Sequence, residues 1–176
     1  MPAEYTLSII PSGKVYTRLH KTIEQSAEKY GAPVFEPHIT LLSDILLTKN
    51  EIMEKSEMLA RMLRPFRVRL SKPGYMDSYF KCVFLLADET PELMEAGRKA
   101  REMFNKPDKR FMPHISLLYG EYPEDTKKRV ISEIGKLEIE FNANSFWMVY
   151  SSNNIPVEQW HRIREFKFKF SPFEVD

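Results

Sequence analysis

One octet occurs twice in this chain, first as Phe35-Glu36-Pro37-His38-Ile39-Thr40-Leu41-Leu42 and again as Phe111-Met112-Pro113-His114-Ile115-Ser116-Leu117-Leu118. Six of the eight positions are identical, and a seventh exchanges threonine for serine. Such a repeat constrains the fold before anything else does, because the chain must build the same local unit twice and bury each copy from behind. Within each octet polar and apolar residues alternate, the pattern of a strand whose successive side chains leave opposite faces. His38 and Thr40 then share one face, with Ile39 and Leu41 on the other; His114 and Ser116 stand likewise against Ile115 and Leu117. If a pseudo-twofold axis relates the copies, two imidazoles and two hydroxyls converge in one cleft.

That set suits phosphodiester hydrolysis. Histidine titrates near pH ~6.5, so one ring can be neutral and the other charged at working pH. The neutral ring takes a proton from water and the charged ring gives one to the departing ribose oxygen. Hydroxyls donate hydrogen bonds to the non-bridging phosphate oxygens, where charge builds up. His38 and His114 are therefore the expected catalytic pair, and Thr40 and Ser116 the expected phosphate-binding residues. A metal or other cofactor is not expected. There is no HExxH and no cysteine cluster, and two histidines are fewer than the three protein ligands usual in catalytic zinc sites. His20 and His161 have no matched partner and read as structural or solvent-exposed.

The rest of the chain agrees with a small globular enzyme. Its 176 residues suit one domain, 1–176, made of two intertwined lobes, and 43% apolar content can fill a core. Lys and Arg total 26 against 25 Asp and Glu, so the chain lacks the basic excess usual in proteins that track long nucleic acid. Cys82, the single cysteine, lies in an apolar run and reads as a buried hydrophobe. No signal peptide or membrane-length apolar run is read at the N-terminus or elsewhere, so the expectation is a cytoplasmic protein without membrane contact, and separately a monomer.

Local patterns place the elements. A strand is expected over 5–10, then a helix over 14–30 closed by Gly31, and a strand over 37–42. Thr48 and Glu51 form a capping box that opens a helix to about Leu63. Phe66, Val68 and Leu70 alternate as a strand, Gly74 makes a bend, and 79–87 reads as a fully buried strand. Thr90-Pro91 opens a helix to Phe104; a strand over 113–119 and a helix over 123–134 follow. Three last strands are expected around Leu137–Phe141, over 146–151, and along Phe166, Phe168 and Phe170. Hairpin-like pairs of strands favour an α+β fold.

The tandem motifs His38-Ile39-Thr40-Leu41 and His114-Ile115-Ser116-Leu117 resemble the H-x-T/S-x signature of the two-histidine (2H) phosphoesterase superfamily. The run from Lys81 to Gly97 and the segment Met112–Tyr119 are similar to its cyclic phosphodiesterase branch, known from plants and yeast. The resemblance implies a bilobal α+β fold, with an antiparallel sheet in each lobe, helices outside and a central cleft. It implies hydrolysis of small cyclic phosphates: ADP-ribose 1″,2″-cyclic phosphate, a by-product of tRNA splicing, and nucleoside 2′,3′-cyclic phosphates, opened to 2′-phosphates. It also implies that Tyr119, just past the second motif, touches substrate. Strict alternation from Ser116 would put Tyr119 on the far face unless the strand ends or bulges there. Tyr75, Tyr79, Phe80, Trp147 and Tyr150 are candidates for stacking on a base. Two other readings stand beside this one. One is an enzyme acting on RNA ends, for which Arg61, Arg64, Arg67 and Arg69 could form a basic patch. The other is a catalytically silent nucleotide- or RNA-binding module.

Overall fold

The structure, a computed structural model, describes residues 4–170. Its elements are β1 (Tyr5–Ile9), α1 (Gly13–Tyr30), β2 (Ile39–Ile45), α2 (Lys49–Arg61), β3 (Phe66–Tyr75), β4 (Val83–Ala87), α3 (Pro91–Met103), β5 (His114–Leu118), α4 (Glu124–Ile134), β6 (Ile139–Ala143), β7 (Ser145–Tyr150) and β8 (His161–Lys167). The helix ends are set locally, as the sequence predicts. Gly31 closes α1 in the left-handed region at φ 67°, and its N–H bonds to the Ala27 carbonyl. Thr48 and Glu51 make both bonds of the capping box on α2. The Thr90 hydroxyl accepts from the Leu93 N–H at the start of α3.

The strands run in the order β6-β3-β4-β5-β2-β1-β7-β8, each antiparallel to its neighbours. The two octets supply the central strands β2 and β5. Four strands lie on each side of the junction, which is held by one pair, Ile39 opposite Ile115. One lobe therefore takes its strands from the middle of the chain (66–143) and the other from the two flanking segments. The helices cross between lobes: α1 packs on β5, and α3 packs on β2. This is the α+β, pseudo-twofold, bilobal arrangement, with the two lobe sheets joined edge to edge. Ile39, Leu41, Ile115 and Leu117 point behind the sheet into a common core with Leu19 and Ile23 of α1 and Leu93 and Ala96 of α3. No described helix is long and apolar enough to cross a membrane.

Three local expectations fail. Gly74 does not bend the chain; it lies inside β3 opposite Phe84, where an added Cβ would come within 2.6 Å of the Phe84 ring. The residue is glycine because a ring crosses the backbone there. The expected strand over 79–87 is broken: Tyr79–Lys81 form one 3₁₀ turn, and β4 starts only at Val83. The last strand is displaced toward the N-terminus and ends at Lys167. Beyond it, Lys169 N–H bonds to the Ala60 carbonyl and Phe170 N–H to that of Leu63. The chain past β8 thus leaves the sheet and is tied by its backbone to the C-terminal end of α2 and the residues that follow it.

Candidate active site

The Ile39–Ile115 pair fixes the site. In an antiparallel ladder, one step to either side sets His38 beside Ser116 and Thr40 beside His114. Alternation then sends all four to the face opposite the two isoleucines, and all four line one cleft of about 440 Å³. Clefts of that size hold nucleotide-sized ligands.

Both imidazoles are held by the same device. His38 Nδ1 lies 2.7 Å from the Glu36 carbonyl oxygen, and His114 Nδ1 lies 2.7 Å from that of Met112. A carbonyl only accepts, so each Nδ1 carries a hydrogen, and the lone pair of the neutral ring is on Nε2. Each ring thus keeps Nε2 for the cleft. Burial pushes both imidazoles below the usual histidine range, against the opposing effect of the carbonyl bonds. The surroundings then diverge. The Glu36 carboxylate favours the charged form of His38, whereas Lys81 and His38 itself disfavour charge on His114.

This asymmetry comes from the one octet position whose chemistry differs, Glu36 against Met112. The Glu36 carboxylate takes a forked pair of hydrogen bonds from Arg162, at 3.0 and 2.7 Å, and a third from the Tyr16 hydroxyl at 2.9 Å. Burial works to raise Glu36, but these bonds outweigh it and keep the carboxyl below the ordinary range. Arg162 in turn lies 4.8 Å from the Trp147 ring centre.

The two hydroxyls also differ. Ser116 Oγ donates to the Phe80 carbonyl at 2.7 Å, tying β5 to the 3₁₀ turn at 79–81. It can donate to a phosphate only by turning away from that carbonyl. Lys81, at the end of the same turn, also lines the cleft beside His114. No feature of the sequence singled it out, because the turn brings it there.

Tyr119 is 2% exposed and lies one residue past the end of β5, so alternation no longer governs its direction. It stacks on Phe35 with ring centres 3.6 Å apart, and meets Phe80 edge-on at 5.1 Å. Trp160 lies 5.7 Å from Phe80, and these four rings form an aromatic wall of the cleft. Of the five stacking candidates read from sequence, Phe80 alone lines the cleft. The Tyr75 hydroxyl bonds to Glu124, Trp147 lies under Arg162, Tyr150 packs on Tyr5, and Tyr79 flanks Phe80 from outside the cleft lining. Phe35 and Trp160 were missed because neither carries a pattern that separates a cleft ring from a core ring. His20 and His161, expected to be structural or solvent-exposed, also line the cleft. His20 stacks on Tyr16, and exposed His161 sets its Nδ1 2.9 Å from the Gln159 carbonyl. The basic patch lies elsewhere: Arg64 covers Phe170, and Arg67 and Arg69 face Glu140. Cys82 is fully buried.

Residues 4–168 match the family described as cyclic phosphodiesterase-like protein. A cyclic phosphodiesterase of Arabidopsis thaliana is 31% identical over 143 residues, which cover 81% of this chain and 79% of that protein. A 2′,3′-cyclic-nucleotide 3′-phosphodiesterase of Yarrowia lipolytica is 29% identical over 140 residues, covering 73% of this chain and 62% of that protein. Among solved structures, TT0787 of Thermus thermophilus superposes with a TM-score of 0.70 at 18% identity, covering 95% of this chain and 98% of that one. Escherichia coli LigT in complex with 3′-AMP gives 0.65 at 16% identity, covering 96% and 99%. At that identity the structures speak for the fold.

Proposed function

The chain belongs to the cyclic phosphodiesterase-like protein family, and within the hydrolysis of cyclic phosphates that this membership brings we propose that it opens nucleoside 2′,3′-cyclic phosphates to 2′-monophosphates, with His38 and His114 moving the protons. The observation that carries the residue roles is the pair of imidazoles in one cleft, each with Nδ1 bound to the carbonyl two residues before it and Nε2 left for chemistry.

The difference in charge around the two rings supports a division of labour. His114, next to Lys81, is the base: its neutral Nε2 takes a proton from the water that attacks phosphorus. His38, backed by the Glu36 carboxylate, is the acid: it gives its proton to the 3′-oxygen as the bond from phosphorus to that oxygen breaks. The phosphate stays on the 2′-oxygen. Breaking the 3′ bond accords with the name of the Yarrowia relative. Thr40 donates to a non-bridging oxygen, and the Lys81 charge balances the negative charge that grows there. Both proton transfers are assigned to side chains, so the reaction asks for no metal. The aromatic wall of Phe35, Phe80, Tyr119 and Trp160 takes the base or ribose. ADP-ribose 1″,2″-cyclic phosphate, with the same five-membered ring, is a second substrate of this reading. A small substrate is favoured over an RNA end because Arg61, Arg64, Arg67 and Arg69 lie outside the cleft lining.

The test is turnover of 2′,3′-cyclic AMP in excess EDTA, with the product identified. Conversion to 2′-AMP is expected. No turnover by folded protein, or activity lost to EDTA and restored by a divalent ion, would overturn the reading, and 3′-AMP as product would reverse the bond assignment.

A further inference from the structure

A second, smaller cavity of about 90 Å³ opens beside the cleft and shares Thr40, Ser43, Lys81 and His114 with it. By the liquid share of ~30 Å³ per water it has room for about three waters, the scale of one small anionic group. Among the described residues four cationic side chains line it, Lys81, Arg101, Lys109 and Arg110, and no carboxylate does. Asp44, outside the lining, pairs with Lys109, whose ammonium also bonds Ser43 Oγ at 2.7 Å.

The walls are built for this. Asp44 sits at φ 57° where the β1–β2 register slips, a bulge in which aspartate tolerates the left-handed region. The bulge turns the Ser43 and Asp44 carbonyls toward Lys106, whose ammonium bonds both, while Lys109 bonds the Ser43 carbonyl. The loop after α3 is thereby fastened to β2. Opposite it, Arg101 packs its guanidinium 5.3 Å from the Phe111 ring centre. Its Nη1 is buried and has no hydrogen-bond partner among the described residues. Arg101 still lines the cavity, and a planar guanidinium beside other cations is the arrangement that recognises phosphate. Phe111 is the octet counterpart of Phe35: Phe35 stacks on Tyr119 in the aromatic wall, whereas Phe111 lines the cationic pocket.

We propose that this side pocket, formed by Arg101, Lys109 and Arg110 next to Lys81, binds a second phosphate group of the substrate, a terminal 5′-phosphate or 5′-diphosphate, while the cyclic phosphate sits between the histidines. The proposal rests on the reading of the cleft as a cyclic phosphodiesterase site. It makes the enzyme selective for cyclic phosphates that carry a further anionic phosphate over plain cyclic nucleosides.

The experiment compares kcat/KM for adenosine 2′,3′-cyclic phosphate with that for the same compound bearing a 5′-diphosphate. It uses the unaltered protein, K109A/R110A and R101Q, with circular dichroism melts as the check on folding. The unaltered protein should prefer the diphosphate by about 10–100-fold, the range for one or more hydrogen bonds to a charged group. Both variants should lose most of that preference and hydrolyse the plain cyclic nucleotide at the original rate. Added salt should weaken the preference. Equal turnover of the two substrates, or a preference that survives in both folded variants, would refute the pocket. A preference for a 5′-linked dinucleotide over the 5′-diphosphate would refute it in favour of an RNA end. If neither compound is hydrolysed, the cyclic phosphodiesterase reading is what fails. Calorimetric titration with inorganic diphosphate then decides the pocket by itself: binding that R101Q and K109A/R110A abolish upholds it, and no binding refutes it.

Discussion

His38 Nδ1 donates to the main-chain oxygen of Glu36 at 2.7 Å, while the carboxylate of that same Glu36 is clamped by Arg162 and Tyr16. One residue therefore orients the ring through its backbone and biases the ring's charge through its side chain. At the matching place in the second octet, Met112 supplies only the backbone bond.

Glu36→Gln keeps the backbone bond and removes the charge. Loss of a nearby negative charge lowers the pKa of His38, so the alkaline limb of the kcat/KM profile should move to lower pH. A fall in kcat of about 10-fold is expected, the order seen when an outer partner of a functional histidine is removed. Met112→Leu should leave the profile in place. Steady-state pH profiles of both variants check this, and an unmoved limb in Glu36→Gln would detach Glu36 from His38.

His38→Ala and His114→Ala each remove a proton carrier, so kcat for a cyclic nucleotide should drop by about 10²–10⁴-fold with the fold intact. If the pair works as a unit, the double variant should be little worse than the poorer single one. Kinetics with a circular dichroism check on folding decide it; near-normal kcat in either folded single variant would remove that residue from the mechanism.

Thr40→Ala and Ser116→Ala should part company. Thr40→Ala removes one donor to a charged phosphate, worth roughly 1.5–3 kcal/mol or about 10–100-fold in kcat/KM, whereas the Ser116 hydroxyl hydrogen is held by the Phe80 carbonyl and its loss should cost kcat/KM less. Ser116→Ala also frees the Phe80 carbonyl and with it the turn that carries Lys81. Thermal melts should therefore show a lowered Tm for Ser116→Ala and little change for Thr40→Ala. Equal melting temperatures would mean that the Ser116–Phe80 bond contributes nothing to the fold.

Acid should weaken the protein through the same two rings. Burial is the chief cause that holds His38 and His114 below the unfolded value near ~6.5. The native state thus binds fewer protons than the unfolded chain between these values. The stability this contributes is complete above about pH 6.5 and is lost as pH falls through the folded values. Urea midpoints measured from pH 7.5 down to pH 5 should fall, and the fall should be shallower in His38→Gln/His114→Gln. For the same reason the kcat/KM optimum, which lies midway between the two free-enzyme values, should sit below pH 6.5.

The sequence by itself determined the helix caps and the repeated octet. Gly31, Thr48 with Glu51, and Thr90 with Pro91 set helix ends through bonds to residues at most four positions away, which a linear reading can see. The octet named His38, Thr40, His114 and Ser116, because strand alternation alone puts a histidine and the hydroxyl two residues on together on one face. Tertiary structure decided what depends on contacts between distant segments. The break at Cys82 goes with a turn tied down by Ser116, and the chain past β8 leaves the sheet to bond the Ala60 and Leu63 carbonyls. Lys81, Trp160 and the Arg101 pocket reach the site only because the central pair Ile39–Ile115 brings two lobes edge to edge and the helices cross between them. The difference between the two histidines is likewise tertiary. Sequence shows Glu36 against Met112, but the Arg162 and Tyr16 that hold that carboxylate come from β8 and α1, which folding alone makes its neighbours.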